Sequence, residues 1–223
     1  MPTTTGSAAR ARLLETASRL FYAEGVHAVG IDRIIAEAGV AKATFYHHFP
    51  TKDELVRAYL EQQSHLQRAT AARLPQTTPR ERLLAIFDNV GDLGRDPGYR
   101  GCPFVNAAAE YPDPTHPVRQ AIAEYRRWFR SLLRDLLAAD GHPDPERTAD
   151  VLVALKDGLL VGADLDDPAA RTLIRDAVAR HLDNTAHPYA GPRGVRQADH
   201  PRRDGTSPGG CSAQAPSRDS GPA

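Results

Sequence analysis

The chain has 223 residues, of which 41% are hydrophobic and 25% are charged, with 28 basic and 28 acidic side chains. These proportions are typical of globular proteins that are long enough to bury a core, and they exclude a chain that is disordered throughout. The formal net charge of zero excludes a surface that coats nucleic acid without selectivity, so any DNA affinity must come from a local cluster of cations.

The first predicted helix starts near residue 8 and ends at Gly25. Its apolar residues Leu13, Ala17, Leu20 and Phe21 recur at i, i+4, i+7 and i+8, so they share one face. Glycine is the expected residue after the last helical turn because it adopts positive φ at little cost. The apolar face therefore predicts a helix that packs on the segment that follows.

The following segment, GIDRIIAEAGVAKATFYHHFPTK, predicts two short helices joined by a tight turn. Ile31, Ile34 and Ile35 lie on one face of the first helix, and Gly39 is the expected turn residue. The second helix runs over residues 41–49. A short amphipathic helix behind a glycine turn is the helix-turn-helix plan, in which the second helix enters the major groove of DNA.

The second short helix has two different faces. Phe45 and Phe49 are four residues apart and are predicted to point into the core of the three-helix unit. The other face carries the cation of Lys42, the hydroxyl group of Thr44 and the imidazole of His47. The phenol of Tyr46 lies beside them. These groups suit phosphate oxygens and base edges.

This region resembles the DNA-binding domain of the TetR family of bacterial repressors over roughly the first 55 residues. The resemblance is carried by the Ala38-Gly39-Val40 turn, Lys42, Thr44, Tyr46, His48-Phe49 and Lys52-Asp53-Glu54-Leu55. It implies an all-α fold with an N-terminal three-helix helix-turn-helix domain at residues 8–50. A C-terminal helical bundle for ligand binding and dimerisation is expected at residues 51–185.

The residues expected to contact DNA are Lys42, Ala43, Thr44, Tyr46, His47 and Lys52. Lys42 suits guanine acceptors or phosphate, and Thr44 suits phosphate or a thymine methyl group. Ala43 stands where the family commonly has glycine, and its methyl group also suits thymine. Lys52 lies in the first turn of the next helix, where the helix dipole favours a phosphate.

Capping patterns predict where the helices of the second domain begin. Thr51 and Glu54 form a capping box before a long helix that reaches about Arg73, and Thr78 and Glu81 form a second one. The strongest helical pattern covers residues 118–136. Two further helices are predicted at roughly residues 145–163 and 169–183. The resemblance implies that these last two long helices pair with their copies in a homodimer.

The resemblance also implies an internal pocket for an unknown small-molecule inducer that releases the protein from a palindromic double-stranded DNA operator. The pocket candidates combine apolar walls with a few polar groups, which suits small organic ligands. They are Phe87, Phe104, Asn106, Tyr125, Trp128 and Phe129. The competing interpretation is that these aromatic residues, at helical spacing, simply fill the core.

Residues 186–223 are rich in Pro, Gly, Ser, Asp and Arg, and they predict a disordered tail. The sequence has no motif of a catalytic, cofactor or metal site, so we expect neither an enzyme nor a resident cofactor. It also has no signal sequence and no run approaching the roughly 20 apolar residues of a membrane span. A cytoplasmic protein without a membrane partner is expected.

Three functions are compatible with this pattern. The preferred one is a ligand-responsive transcriptional repressor. The second is a redox-sensing regulator whose thiol is Cys102, in the irregular Gly101-Cys102-Pro103 segment; the competing view is that this cysteine is buried and inert. The third is a dimeric helical binding module with a vestigial DNA-binding domain.

Overall fold

The computed structural model describes residues 4–74, 78–93, 98–165 and 173–186. Within these residues the secondary structure is entirely helical, which confirms the predicted all-α class. The helices in chain order are α1 Thr4–Glu24, α2 Ile31–Ala38, α3 Lys42–His48, α4 Lys52–Arg73, α5 Pro79–Leu93, α6 Pro103–Glu110, α7 Pro117–Ala139, α8 Pro145–Leu165 and α9 Leu173–Ala186.

Helices α1 to α3 form the predicted helix-turn-helix unit. Gly39 ends α2 in the left-handed region at φ 62°, and its amide donates to the carbonyl oxygen of Ala36. Phe45 and Phe49 are buried as predicted, with α3 packed against α1 and α2. The apolar side of α3 therefore fixes which of its residues remain at the surface.

Helix α4 connects the helix-turn-helix unit to the rest of the fold. The amide of Glu54 donates to Thr51 Oγ1 over 3.2 Å, so the predicted cap at the start of α4 is present. Near the middle of the helix, the buried ring of Tyr59 packs against Phe21 of α1, with 5.9 Å between the ring centroids. The same helix packs on α7 further along the chain. Helix α4 is thus shared by both halves of the fold.

Helix α7 lies at the centre of the second half and packs against α4, α5, α6 and α8. Tyr125 of α7 stacks on Phe104 of α6 with 3.6 Å between ring centroids. Helix α5 begins with the predicted reciprocal capping box, because Glu81 N donates to Thr78 Oγ1 and Thr78 N donates to the Glu81 carboxylate. Helix α9 packs on α5 and α8.

The end of α6 is tied to the corner between α1 and α2. The carboxylate of Glu110 accepts hydrogen bonds from the amides of Val26 at 2.8 Å and His27 at 2.5 Å. These amides lie in the corner after α1, outside any helix, and the carboxylate supplies their acceptors. The next residue, Tyr111, donates its hydroxyl proton to Asp53 Oδ1 of α4 over 2.9 Å. The end of α6 is therefore bonded to the corner after α1 and to the first turn of α4.

Three predicted boundaries fall at or near residues outside the described part of the chain, or are not tested by it. The last long helix was predicted from residue 169, but the described helix begins at Leu173, and residues 166–172 lie outside the described part of the chain. The predicted start of this helix therefore stays a prediction. The division into residues 8–50 and 51–185 stays a prediction. The predicted tail from residue 186 lies outside the described residues, except for Ala186 at the end of α9.

Replacing Glu110 by Ala should lower the free energy of unfolding by about 1 to 3 kcal/mol, because two amides lose a charged acceptor in a partly buried site. Urea denaturation measures this change. Glu124→Ala is the matched control, since Glu124 is exposed on α7. Equal stability of the two variants would contradict a structural role for the Glu110 carboxylate.

Candidate DNA interface and ligand cavity

Helix α3 exposes the groups that were predicted to contact DNA. Lys42, Ala43, Tyr46 and His47 are exposed, and Thr44 is half-buried. The buried Phe45 anchors the helix, and its ring meets the edge of the Tyr46 ring with 5.1 Å between centroids. These residues share one surface of the protein, but their contacts with DNA stay predictions.

Lys42 is engaged by an acidic neighbour on α2. Its Nζ donates to Asp32 Oδ1 over 3.1 Å, and both side chains are largely exposed. This hydrogen bond, together with the attraction between the two charges, raises the pKa of Lys42. Asp32 was not singled out by sequence reasoning. The Asp32 carboxylate repels a DNA phosphate that approaches Lys42, and it competes with that phosphate for the Lys42 ammonium group.

Lys52 has a more enclosed position than the residues of α3. It lies in the first turn of α4, and its Nζ is 6.0 Å from the centroid of the Phe21 ring. Burial lowers the pKa of Lys52, while Glu110 and Asp53 act in the opposite direction. Lys52 therefore lies on α4 rather than on α3, at the junction between α1 and α4.

A network of ion pairs locks α1 and α2 together. Arg33 binds Glu24 through two nitrogens, at 2.5 and 2.8 Å, and Glu37 through Nε at 2.8 Å. Arg19 binds the other oxygen of Glu37 at 2.5 Å. Hydrogen bonding to these arginines lowers the pKa of both carboxyl groups. These arginines thus act as cross-links within the helix-turn-helix unit.

A cavity of about 380 Å³ lies between the helix-turn-helix unit and the helical body. Its size falls in the range of small-molecule sites, roughly 300 to 1,000 Å³. The walls come from α1, α4, α5, α7, α8 and the chain around the start of α6. The lining residues are Ser18, Arg19, Tyr22, Gln63, Gln67, Val90, Gly98, Tyr99, Gly101, Cys102, Pro103, Phe104, Tyr125, Lys156 and Leu160.

The sequence-predicted pocket residues divide into three groups. Phe104 and Tyr125 line the cavity. Trp128 and Phe129, together with Tyr125, line a much smaller neighbouring cavity of about 20 Å³. Phe87 is fully buried in the core and lines neither of these cavities.

Asn106 lies at the side of α6 and lines neither of these two cavities. Its amide nitrogen donates to the carbonyl oxygen of Arg100 over 2.5 Å. The structure therefore gives Asn106 a local role, because this bond closes the turn that leads into α6.

Sequence reasoning missed the contribution of α1 to the cavity. Tyr22 of α1 donates its hydroxyl proton to the carbonyl oxygen of Gly101 over 3.0 Å and accepts from the amide of Arg100 at 3.0 Å. The side chain of Tyr22 thus connects the DNA-binding half to the loop before α6, across one wall of the cavity. Helical periodicity gives no signal for such a contact, since the partners are almost 80 residues apart.

Two further groups of the wall are reactive or titratable. Burial raises the pKa of the Tyr125 phenol above its usual range. Cys102 is buried, precedes the first turn of α6 and lines the cavity, so the proposed thiol is enclosed. In the described part of the chain, no group of three or more His, Cys, Asp or Glu side chains is placed to share a metal ion.

Comparison with known proteins identifies both halves of the chain. Residues 13–59 match the family described as bacterial regulatory proteins, tetR family, and residues 79–178 match the tetracyclin repressor-like C-terminal domain. The solved structure of SCO4454, a TetR-family transcriptional regulator from Streptomyces coelicolor, is 45% identical, with a TM-score of 0.77; the match covers 81% of this chain and 97% of that one. The chain belongs to the TetR family.

Curated relatives agree with this membership. The regulator BetI of Rhizobium meliloti is 30% identical over 82% of this chain and 95% of its own length. The regulator LmrA of Bacillus subtilis is also 30% identical, over 53% of this chain and 66% of its own length. This TetR-family protein is a DNA-binding transcriptional regulator, and such regulators are generally not enzymes. Among the described helices, none is long and apolar enough to span a membrane.

Replacing Asp32 by Asn should strengthen operator binding about three- to tenfold, because it removes a repelling carboxylate and releases Lys42 for a phosphate or base. The slope of log affinity against log salt should steepen by about one. Fluorescence anisotropy at several salt concentrations measures both quantities. Glu124→Gln on α7 gives the same change in net charge away from α3, and equal effects of the two substitutions would exclude a specific role for Asp32.

Proposed function

We propose that this TetR-family regulator is a homodimeric repressor that a small organic inducer releases from a palindromic operator. The DNA-binding surface is the exposed face of α3, with Lys42, Thr44, Tyr46 and His47 at the major groove. Ala43 and Lys52 complete the proposed contact set. The inducer occupies the cavity of about 380 Å³ between the helix-turn-helix unit and the body.

The position of this cavity is the main support for the proposal. Its walls include Ser18, Arg19 and Tyr22 of α1, and α1 packs directly on α2 and α3. A ligand in the cavity would therefore touch the DNA-binding half without an intervening relay. It would also touch the loop at Gly101, whose carbonyl oxygen accepts from Tyr22.

Release requires that the inducer binds the arrangement that cannot hold DNA more tightly than the arrangement that can. Coupling energies between two such sites are typically about 1 to 3 kcal/mol. The contacts between Tyr22 and the loop before α6 are suited to this task. They join the cavity wall to α1 with two hydrogen bonds, which a ligand can break or reinforce.

A second copy of the chain is the proposed partner of α8. Val151, Ala154, Gly158, Val161 and Leu165 are all exposed and recur at intervals of three and four residues, so they form one apolar stripe. We call it the α8 stripe. Gly158 lies at its centre, and apart from its chain neighbours and the backbone of its own helix no atom lies within 4 Å of where a Cβ atom would be, which leaves room for a close helix neighbour.

We propose a smaller share of the interface for α9 than the family resemblance implies. Its exposed side chains in the described part are polar, and two of them form ion pairs with α5, Arg175 with Asp88 and Asp183 with Arg80. The proposed interface is therefore centred on α8, with α9 at its edge. In a twofold-symmetric dimer we expect the two α3 helices to lie about one turn of DNA apart, roughly 10 bp, or somewhat further.

The two alternative functions remain separate predictions. A redox sensor requires that Cys102 reacts in the folded protein, although its side chain is buried. Alkylation of the native protein tests this, because protection until unfolding excludes the sensor. A helical module with a vestigial DNA-binding domain requires that no DNA sequence is selected at any salt concentration.

Selection of random duplexes on the purified protein, repeated with the DNA upstream of its own gene, tests the proposed operator. An inverted repeat should be enriched. Tyr46→Ala should then weaken binding to that repeat about tenfold or more, since a phosphate contact is lost. Glu124→Ala should bind as the wild type does. Enrichment of no sequence by a folded dimer would refute the regulator mechanism proposed for α3.

Replacing Val161 by Arg should convert the dimer to a monomer at micromolar concentration, because each interface would bury two unpaired cations near its centre. Sedimentation velocity measures the mass. Leu66→Arg is the matched control, since Leu66 is also an exposed apolar residue but lies on α4. A dimer that survives Val161→Arg, or one that Leu66→Arg dissociates equally well, would place the interface elsewhere.

A further inference from the structure

The cavity wall contains a buried lysine that neither the fold nor the proposed DNA contacts require. The chain has only three lysines, and two of them, Lys42 and Lys52, belong to the proposed DNA surface. The third, Lys156 of α8, has a side chain that is only 4% exposed, and it lines the cavity. Removing an ammonium group from water is costly unless a partner compensates its charge.

The compensation that Lys156 receives is incomplete. Its Nζ lies 2.9 Å from Asp157 Oδ1, but the contact lacks the alignment of a hydrogen bond. The other oxygen of Asp157 accepts from Arg126 at 2.6 Å, so two cations share one carboxylate. The Phe129 ring, 5.1 Å from Nζ, adds a weak attraction. Donor protons of the Lys156 ammonium group therefore remain available to a bound molecule.

The rest of the lining also favours a negatively charged ligand. It includes Arg19 as a second cation, and no Asp or Glu occurs among the described lining residues. Arg19 contributes less than Lys156, because its side chain is 63% exposed and paired with Glu37. The Asp157 carboxylate beside Lys156 is not among the lining residues, and Arg126 shares it, so the two cations and one carboxylate leave a net positive charge at this wall. Such a wall in a space of low polarity favours an anion over a neutral molecule of the same shape.

The remaining walls define the shape of such an anion. Phe104 and Tyr125 stack with their planes only 3° apart, and both line the cavity. Val90 and Leu160 add apolar surface. Flat ring systems pack well beside such aromatic side chains. The volume of about 380 Å³ suits a ligand with one to three rings.

We propose that the cavity binds a planar aromatic carboxylate, with the carboxylate on Lys156 Nζ and the rings beside Phe104 and Tyr125. This deepens the proposed function, and only its consequence for DNA release rests on that function. The binding step itself is independent of the operator. The Lys156 ammonium group donates a charge-assisted hydrogen bond to the carboxylate of the ligand. Such bonds are strong in a space with little water.

Three matched pairs of probes test the proposal: benzoate with benzamide, naphthoate with naphthamide, and biphenyl carboxylate with biphenyl carboxamide. Each pair has the same shape and differs in charge. Isothermal titration calorimetry at neutral pH and physiological salt gives the affinity ratio of acid to amide. Trp128 is the sole tryptophan, and its ring centroid is 5.8 Å from that of Tyr125, which lines the cavity. We expect its fluorescence to change when a ligand packs beside Tyr125.

The full-length wild type should bind at least one acid about tenfold or more tightly than its amide. Lys156→Met should bring this ratio close to one without weakening the amide, whereas Lys156→Arg should keep a clear preference for the acid. Arg127→Met removes one positive charge from an exposed position on α7 and should leave the ratio unchanged. A purely structural role for Lys156 would alter stability but not the ratio.

Asp157→Asn provides a second test that retains Lys156. Removing the shared carboxylate should raise the ratio of acid to amide affinity severalfold, because the ammonium group loses its anionic neighbour. If Lys156→Met does not fold, as judged by circular dichroism, Asp157→Asn decides: an unchanged or lower ratio overturns the proposal. Equal binding of acids and amides by the wild type, a ratio that survives Lys156→Met, or no binding of any acid overturns it as well.

Release of operator DNA separates this proposal from the function on which it rests. DNA release by amides as well as acids would keep the inducer mechanism and overturn the anion site. Acids that bind through Lys156 without releasing DNA would support the anion site and contradict the inducer role of the cavity. Failure to select any operator would refute the regulator mechanism, while the calorimetric ratios would still decide the ligand class.

Discussion

The hydrogen bonds from Val26 and His27 to the Glu110 carboxylate are the constraint on which the arrangement of the two halves depends. Val26 and His27 lie in the corner between α1 and α2, outside any helix, so their amides need acceptors from elsewhere, and a side chain from the body supplies them. Tyr111 adds a bond from the same end of α6 to Asp53 of α4. The end of α6 therefore adds polar contacts to the packing of α4, which joins the helix-turn-helix unit to the body.

The cavity lies at the start of α6, whereas Glu110 is at the end of the same helix. Tyr22 connects α1 to the loop at Gly101, while Glu110 connects the far end of α6 to the corner after α1. Helix α1 consequently has two tasks: its buried face forms the core of the helix-turn-helix unit, and part of its other surface forms a wall for a ligand. Both ends of α6 are therefore connected to the neighbourhood of α1, one through the loop before α6 and the other through the corner after α1.

Arginine and lysine side chains have different roles in this protein. Arginines such as Arg33 form planar, bidentate bonds with carboxylates and serve as cross-links between helices. Lysine is rare, and its three positions are functional candidates: Lys42 beside Asp32, Lys52 over Phe21, and Lys156 at the cavity. The net charge of zero is thus compatible with DNA binding, because local position rather than total charge decides where an anion is attracted.

The sequence by itself determined the features that depend on neighbouring residues. The turn at Gly39, the caps at Thr51 and Thr78 and the buried face of α3 follow from spacing within a few residues, and each is confirmed. Only the tertiary structure decided which distant residues meet. Periodicity identifies the buried face of a helix but not the residues that this face contacts. It therefore could not separate the aromatic residues that line the cavity from those that fill the core, and it gave no reason to select Lys156. The cavity exists because helices far apart in sequence approach incompletely, and that depends on packing.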